Sequence, residues 1–216
     1  MNTLAFQIGA WVGGPGETPQ PTAENVQAFQ DLQGRHLDLI NHFALFDIND
    51  WDNVKQYADV AKASGSTLVI TWMPNGYGAQ DIVDGKTDNY IHEFAKGVKE
   101  FGNEIWLRPL HEANGDWYDW GKSQDWSNWQ TFTQVFKKSY DALSTINKPL
   151  FIAEISCSEK GGNKAEWITD MFEQFQTNFS RVFAVMWFSQ SKDYEGDWAL
   201  NTSQAAVDAW KAGIAK

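Results

Sequence analysis

Short apolar runs alternate with helix-like segments along the whole chain. The strand-like runs, each bounded by Gly, Asn, Asp or Pro, are Leu4–Trp11, Leu37–Asp47, Thr67–Met73, Glu104–Leu110, Pro149–Ile155 and Val182–Phe188. The helix-like segments are Ala23–Leu32, Trp51–Ser64, Asn89–Phe101, Trp126–Thr145, Lys164–Thr177 and Ser203–Ile214. A repeated order of strand and then helix favours parallel strands joined by right-handed crossovers. The sequence therefore predicts an α/β fold.

Two architectures satisfy this order: a (β/α) barrel and an open, doubly wound sheet. The nucleotide-binding versions of the open sheet carry a G-x-G-x-x-G or P-loop motif after a strand, and no run here is followed by either motif. Aromatic and acidic residues follow the strand ends instead, as on the active face of a barrel. We therefore predict a (β/α) barrel related to the TIM barrel, with six recognisable strand–helix units instead of eight, as a single domain over residues 1–216.

Charge and cysteine content narrow the range of partners. The chain has 28 Asp plus Glu against 17 Lys plus Arg, a net charge of −11, and no basic run. A field of that sign repels phosphate, so we expect neither nucleic acid nor membrane as a partner. Cys157 is the only cysteine, which excludes a disulfide framework. Since His42 and His92 lack metal-ligand spacing, we predict no metal, and we expect no cofactor.

Two strand-like runs lead into a glutamate. Glu112 follows Glu104–Leu110 and precedes a loop rich in Trp, Tyr, Asn and Asp, while Glu154 closes Pro149–Ile155. Glycoside hydrolysis uses one carboxylic acid and one carboxylate, about 5–5.5 Å apart in retaining enzymes and about 6.5–9.5 Å apart in inverting ones. A helix cap or a salt bridge is the structural alternative for either glutamate. Because two such residues occur among many aromatic ones, the pattern favours catalysis.

Neighbouring residues have roles that the pattern leaves open. Arg108 shares the strand parity of Glu112, so it would face the same side and hold a carboxylate ionised, or it would form a salt bridge inside the barrel. His111 would orient substrate hydroxyls, tune Glu112, or serve as a structural hydrogen-bond donor. Of the 12 Trp residues, we expect roughly half in the core and the rest at strand ends as stacking platforms for sugars.

These residues resemble glycoside hydrolase family 26, known mainly for endo-β-1,4-mannanases. The resemblance runs through Asp88-Asn-Tyr-Ile, Arg108-Pro-Leu-His-Glu-Ala-Asn-Gly-Asp-Trp117, Ser139-Tyr-Asp-Ala-Leu143, Lys148-Pro, Ile152-Ala-Glu154, Val185-Met-Trp-Phe188 and Asp197-Trp198. It implies that Glu112 is the acid/base and Glu154 the nucleophile of a retaining mechanism. It also implies that His111 and Trp117 contact the substrate and that Trp187 is the stacking platform. The predicted substrate-binding set is completed by Arg108, Asn114, Tyr118, Trp72 and Trp11.

The chain departs from the family in length. The family places its acid/base and nucleophile on the fourth and seventh of eight strands, and a strand–helix–strand unit takes about 30 residues. Only 42 positions separate Glu112 from Glu154. We therefore expect about two strand–helix units to be absent, with Tyr118-Asp-Trp-Gly121 as the junction. Six strands would either close tightly or expose two edges, which would favour self-association that completes the barrel.

The sequence thus predicts a secreted, retaining endo-β-glycanase whose partner is a β-linked polysaccharide, mannan first or a related glucan. The alternatives are a β-1,3-1,4-glucanase or β-1,3-xylanase with the same mechanism, and a deleted or engineered barrel that binds glycan, or only folds, without turnover. The first residues do not form a signal peptide, and a chain that begins at the mature domain would look the same.

Overall fold

The computed structural model describes residues 6–13, 20–77, 81–82, 84–109, 111–112, 117–118, 150–160, 162–192 and 196–215. The strands of the main sheet are β1 (Gln7–Val12), β2 (Leu39–Leu45), β3 (Thr67–Met73), β4 (Ile105–Pro109), β5 (Leu150–Ile155) and β6 (Val182–Ser189). The α-helices are α1 (Ala23–Gln33), α2 (Trp51–Ser64), α3 (Asp88–Phe101), α4 (Lys164–Thr177) and α5 (Gln204–Ile214). Two short antiparallel strands, β7 (Ser191–Lys192) and β8 (Gly196–Asp197), and a 3₁₀ turn, Leu200–Thr202, precede α5.

Among the described residues the main sheet has six strands in the order β4-β3-β2-β1-β6-β5. The strand β1 pairs in parallel with β2 on one side and β6 on the other, and β6 pairs in parallel with β5. Parallel strands that alternate with helices confirm the predicted fold class, a partial (β/α) barrel with six strands. The order begins at β4 and ends at β5, so these are the edge strands of the described sheet.

The predicted boundaries agree closely with the observed ones. The predicted segments Thr67–Met73, Trp51–Ser64 and Lys164–Thr177 match the structure residue for residue. The other predicted strands and helices differ by a few residues at their ends, apart from Trp126–Thr145, which lies outside the described residues. The hairpin of β7 and β8 was not predicted, because two-residue strands are too short to show a periodicity.

Capping residues explain where several helices begin and end. The side chains of Thr22, Asn163 and Ser203 each accept a hydrogen bond, 3.2 Å long, from the backbone N–H three residues further on. Gly34 and Gly102 end α1 and α3 with left-handed φ angles of 72° and 73°. These contacts satisfy N–H groups that a helix leaves unpaired and allow the chain to reverse direction. In the described ranges no helix has the length and apolar character needed to cross a membrane.

The chain forms two compact units. The single domain over residues 1–216 remains a prediction. The first comprises Met1–His42, Tyr57–Leu68 and Pro149–Lys216. Its core packs the Trp210 ring against Phe172 and Trp187, each at a centroid distance of 5.2 Å. Such edge-on aromatic packing contributes beyond the buried area alone.

The strand β1 lies closely against its neighbours in the first unit. A methyl group placed on Gly9 would lie 2.4 Å from Cγ of Met186 and 2.7 Å from Cβ of Leu39. Real carbon atoms cannot approach so closely without displacement, so glycine is required at this point of the central strand.

The second unit comprises Phe43–Gln56 and Val69–Lys148. Its described core is an aromatic cluster in which Trp72 lies 4.6 Å from Phe46 and 5.0 Å from Phe94, measured between ring centroids. Trp51 packs edge-on against Phe94 at 5.6 Å. The sequence therefore uses several of its many aromatic residues as core, as predicted for about half of the tryptophans.

Candidate active site

The predicted acid/base, Glu112, lies in a turn beyond the end of β4. The strand ends at Pro109, and Glu112 has a φ angle of 53°. Our sequence-based alternation placed Arg108 and Glu112 on one side of a continuing strand. Because the chain turns before Glu112, that parity does not extend to it. A left-handed conformation costs energy in a residue other than glycine and is typical of side chains that a functional site holds in place.

The carboxylate of Glu112 is bound by an exposed indole. Nε1 of Trp117 donates a hydrogen bond of 2.7 Å to Oε2 of Glu112. The Trp117 side chain is 63 % exposed, so its ring remains open to solvent while its N–H is engaged. One aromatic residue therefore combines a flat apolar surface with a contact to a carboxylate, which is what binding of a sugar beside an acid requires.

His111 is buried beside Tyr118. Its Nε2 lies 3.0 Å from the Tyr118 hydroxyl, and its ring packs edge-on against Phe43 at 5.7 Å. Burial lowers the pKa of His111 to about 4, and the positive charge of Arg108 acts in the same direction. The imidazole is therefore neutral near pH 7. A neutral ring orients Tyr118 through a hydrogen bond and adds no cation to the site.

Two further predicted residues make contacts to neighbouring parts of the second unit. Nη1 of Arg108 donates a long hydrogen bond of 3.5 Å to Oγ1 of Thr71, a fully buried residue of β3. Trp72, the next residue, is 8 % exposed, and its Nε1 donates to the Tyr90 hydroxyl at 3.3 Å. The structure thus places Trp72 within the aromatic core cluster.

The predicted nucleophile, Glu154, lies in an irregular part of β5. Ile152 is in register with Val185 of β6, whereas Ile155 is in register with Trp187. Three steps along β5 therefore correspond to two along β6, which places one extra residue, a bulge-like irregularity, in β5 around Glu154. A shift of the opposite sense lies at the start of the ladder, where Leu150 and Phe151 are in register with Val182 and Ala184. Bulges change the direction of side chains and are frequent next to active sites. Simple strand alternation, on which our sequence-based assignment of facing residues rested, does not hold through this segment.

Two predicted stacking residues of the first unit are covered by protein. Trp187 is fully buried, and its Nε1 donates a hydrogen bond of 3.0 Å to the backbone oxygen of Trp198. Trp11 is 9 % exposed and lies parallel to Phe188 at a centroid distance of 4.8 Å. Both rings therefore present little surface to a ligand in this conformation.

Comparison with known proteins links this site to a family. The sequence profile of Glycosyl hydrolase family 26 matches residues 78–152, a range that includes Glu112. Endoglucanase H of Acetivibrio thermocellus is 36% identical over 280 residues, which cover 97% of this chain and 30% of that protein. Both matches support glycoside hydrolase family 26 for this chain.

The alignment with Endoglucanase H is longer than the chain itself. Since 97% of the chain is about 210 residues, about 70 of the 280 aligned positions have no residue in this chain. The chain also spans only 30% of the relative's length. A solved structure, the Clostridial cellulose synthase subunit Z (CcsZ) from Clostridioides difficile, aligns over 95% of this chain and 99% of that chain, with 10% identity and a TM-score of 0.46.

The structure brings His111, Glu112, Trp117 and Tyr118 together in the family 26 motif of the second unit, while Glu154, Trp187 and Trp11 belong to the first. Asn114 lies outside the described residues. Within the described part of the chain, no group of three or more His, Cys, Asp or Glu residues could hold a metal ion.

Sequence reasoning missed two residues that support this motif. Phe43 contacts the ring of His111, and Thr71 accepts the hydrogen bond from Arg108. Both lie on strands that the sequence predicted correctly. Thr71, a polar residue between apolar neighbours in the middle of β3, was the available signal, because a buried hydroxyl needs a partner. Phe43 gave no signal, since an aromatic residue in a strand is ordinary.

Proposed function

We propose that the chain is a retaining endo-β-glycanase that hydrolyses β-mannan by double displacement. The observation that carries the proposal is the Glu112 carboxylate, which stands in a left-handed turn and is bound by the exposed indole of Trp117. A carboxyl group fixed beside an open aromatic face is suited to protonate a glycosidic oxygen while the ring binds the sugar. The similarity to glycoside hydrolase family 26 supports the same assignment.

In the first step a carboxylate oxygen of Glu154 attacks the anomeric carbon, and the bond from that carbon to the glycosidic oxygen breaks. Glu112 gives its proton to the departing oxygen. The product is a glycosyl ester on Glu154 and an ionised Glu112. In the second step Glu112 takes a proton from water, the hydroxide oxygen displaces Glu154 from the anomeric carbon, and both residues return to their starting states.

The substrate contacts follow from exposure. Trp117 is open enough to stack on a sugar directly, and the half-buried Tyr118 offers a hydroxyl that the buried, neutral His111 orients from behind. Trp187 and Trp11 would become platforms only after the side chains that cover them moved. Arg108, Asn114 and Trp72 complete the proposed substrate-binding set.

A mixed-linkage β-glucan is the second candidate substrate. The relative Endoglucanase H is named for action on a glucan and is 36% identical to this chain. The β-1,3-xylanase alternative uses the same two glutamates. The third candidate is a barrel that binds glycan without turnover. It is supported by the roughly 70 positions of the alignment with Endoglucanase H that have no residue in this chain. We propose that this gap lies between Glu112 and Glu154, where the chain is short.

Release of reducing sugar from mannan, mixed-linkage glucan and β-1,3-xylan separates these candidates. We expect the fastest release from mannan, with products that keep the anomeric configuration when followed by proton NMR. Faster release from mixed-linkage glucan would replace the mannanase assignment with the glucanase one. Absence of release from all three polymers would overturn the enzymatic proposal.

We further propose that the protein is secreted and that it self-associates through its sheet edges. The strands β4 and β5 are the edge strands of the described sheet, and exposed strand edges favour pairing with a second chain. Sedimentation equilibrium measures the solution mass, and we expect a dimer or larger assembly. A monomer at all concentrations would contradict self-association, and recovery of the native protein from the cell interior alone would contradict secretion.

A further inference from the structure

A groove of about 610 Å³ opens beside the carboxyl end of β5, wholly within the first unit. It begins at Ser156, two residues beyond Glu154, and continues along the first two turns of α4. Its volume lies within the range of about 300–1,000 Å³ that is typical of small-molecule sites. The residues that matter for its chemistry are Cys157, Asn163, Glu166, Trp167, Asp170 and Trp198.

The walls of this groove combine exposed indole surface with polar groups. Trp167 is 39 % exposed, although it lies next to the buried stripe of α4 that contains Ile168. Trp198 forms part of the same lining and is half-buried. Flat apolar rings beside carboxylate and amide groups suit a ligand that has apolar C–H faces and hydroxyls at its edges.

The charged residues that line the groove balance one another. Glu166 and Asp170 are exposed carboxylates on its helical wall, and Lys160 is an exposed cation of the loop after β5. Lys164 also belongs to the lining, and its buried side chain donates a hydrogen bond of 2.6 Å from Nζ to the backbone oxygen of Ala199. A neutral polyhydroxylated chain fits both the charge and the aromatic surface.

The groove is held in shape by contacts beneath it. The Glu159 carboxylate accepts hydrogen bonds from the hydroxyls of Ser203 at 2.7 Å and Thr202 at 3.2 Å, which fixes the loop after β5 to the start of α5. Trp167 packs edge-on against the buried Trp187 at 6.5 Å. A wall that is already ordered loses little conformational freedom when a ligand binds.

We propose that this groove is a binding site for a neutral β-linked glycan, in which Trp167 and Trp198 stack on sugar rings and the polar groups of α4 bind their hydroxyls. The choice of polymer rests on the proposed function, since the same polysaccharide would supply the bound segment. The groove would hold a part of the chain away from the bond that is cleaved. It therefore adds affinity for polymers without taking part in the chemical step.

Affinity electrophoresis through gels that contain mannan or mixed-linkage glucan tests the proposal with the whole chain. We expect the polymer to retard the parent protein, and Trp167→Ala to weaken binding roughly tenfold, while Trp167→Tyr retains most of it. Phe179→Ala is the matched control, because Phe179 is an aromatic residue of the same unit that is 43 % exposed and lies outside the groove lining. Binding by Trp167→Ala equal to that of the parent, or equal losses in both variants, would overturn the proposal.

Cys157 gives a second readout, because it is the single cysteine of the chain and lines the groove. In Glu154→Ala protein, which would leave the polymer intact, we expect soluble mannan or glucan to slow alkylation of Cys157 at least about fivefold, as followed by mass spectrometry. Unchanged alkylation at a polymer concentration that retards the protein would exclude occupancy of this groove.

The outcomes distinguish this proposal from the proposed activity. A parent that releases sugar while Trp167→Ala binds normally refutes the groove and leaves the enzyme assignment intact. A parent that binds polymer through Trp167 without releasing sugar refutes the enzyme assignment and leaves the groove intact. A parent that is not retarded by either polymer refutes the groove, whatever its activity.

Discussion

Nε1 of Trp117 lies 2.7 Å from Oε2 of Glu112 and donates a hydrogen bond to it. The contact joins the residue proposed to bind sugar to the residue proposed to transfer the proton. A substrate that stacks on the Trp117 ring would therefore act directly on the orientation of Glu112. The two roles of Trp117 can be separated, because phenylalanine keeps a flat ring and lacks the N–H group.

We expect Trp117→Phe to lower kcat about tenfold, since the orientation of Glu112 is lost, with a smaller change in KM. Trp117→Ala would also raise KM, because the stacking surface is removed. Trp106→Phe is the control, since Trp106 donates a comparable indole hydrogen bond to Glu104 in the same unit. Steady-state kinetics on mannan measures all three variants. Equal effects of Trp106→Phe and Trp117→Phe would show that the contact with Glu112 has no special role.

Glu154→Ala should abolish hydrolysis and leave the fold intact, because it removes the proposed nucleophile from a strand whose pairing with β6 uses backbone groups. Glu173→Ala, in an exposed position of α4, should retain parental activity. Circular dichroism and reducing-sugar release are the measurements. Substantial turnover by Glu154→Ala would remove this residue as the nucleophile.

The free energy of unfolding should fall in acid because of His42. Burial lowers the pKa of this histidine to about 4, whereas an unfolded chain has a histidine pKa of about 6.5. Between these values the unfolded state binds more protons, so the stabilising contribution is complete above pH 6.5 and is lost as the pH falls towards 4. At pH 4.5 the loss from this group is about 2 kcal/mol relative to pH 7.

Urea unfolding at the two pH values tests this expectation. His42→Phe retains a ring to pack against Tyr57, which lies 4.1 Å from the histidine ring, and it cannot be protonated. The variant should therefore lose less stability than the parent between pH 7 and pH 4.5. An identical loss in both proteins would place the acid sensitivity elsewhere.

Gly9→Ala should destabilise the protein by about 1–3 kcal/mol, because the new methyl group would meet Met186 and Leu39 at distances below 3 Å. Gly162→Ala is the matched control, since a methyl group there would have no neighbour within 4 Å. Urea denaturation should show a lower midpoint for the first variant and little change for the second. Comparable midpoints for both would mean that β1 has room to shift.

The positions of strands and helices could be predicted because local signals agreed with the fold. Thr22, Asn163 and Ser203 cap helices in the structure; the first two immediately precede predicted helices, and Ser203 is the first residue of one. The course of the chain near the two glutamates could not be predicted. Glu112 adopts a left-handed φ and β5 contains an extra residue, and both depend on tertiary contacts that a repeating pattern does not encode.

The tryptophans show the same division between local and tertiary information. Their number indicated that some would be core and some would be exposed, but not which ones. Trp187 lies near the end of β6 and is fully buried, whereas Trp117 lies in a loop and is 63 % exposed. Trp167 was predicted to lie in a helix, and the structure confirms this. It is 39 % exposed, because it is not one of the residues that form the buried stripe of α4. Exposure at the edge of such a stripe depends on the neighbouring loop, which periodicity alone does not reveal.

The extra residue in β5 makes the placement of Glu154 a matter of chain length as well as of side-chain identity. The extra residue in β5 offsets one in β6, because Leu150 and Phe151 are in register with Val182 and Ala184. Deleting Ala153 would leave the irregularity in β6 unbalanced and would turn the carboxylate towards the opposite face. Replacing Ala153 by another small residue would leave the residue count unchanged. Substitution scans would therefore miss the role of residue number in β5, which a single-codon deletion would reveal. Homologues that lack this residue would be expected to have lost the proposed function of Glu154, even where the glutamate itself is retained.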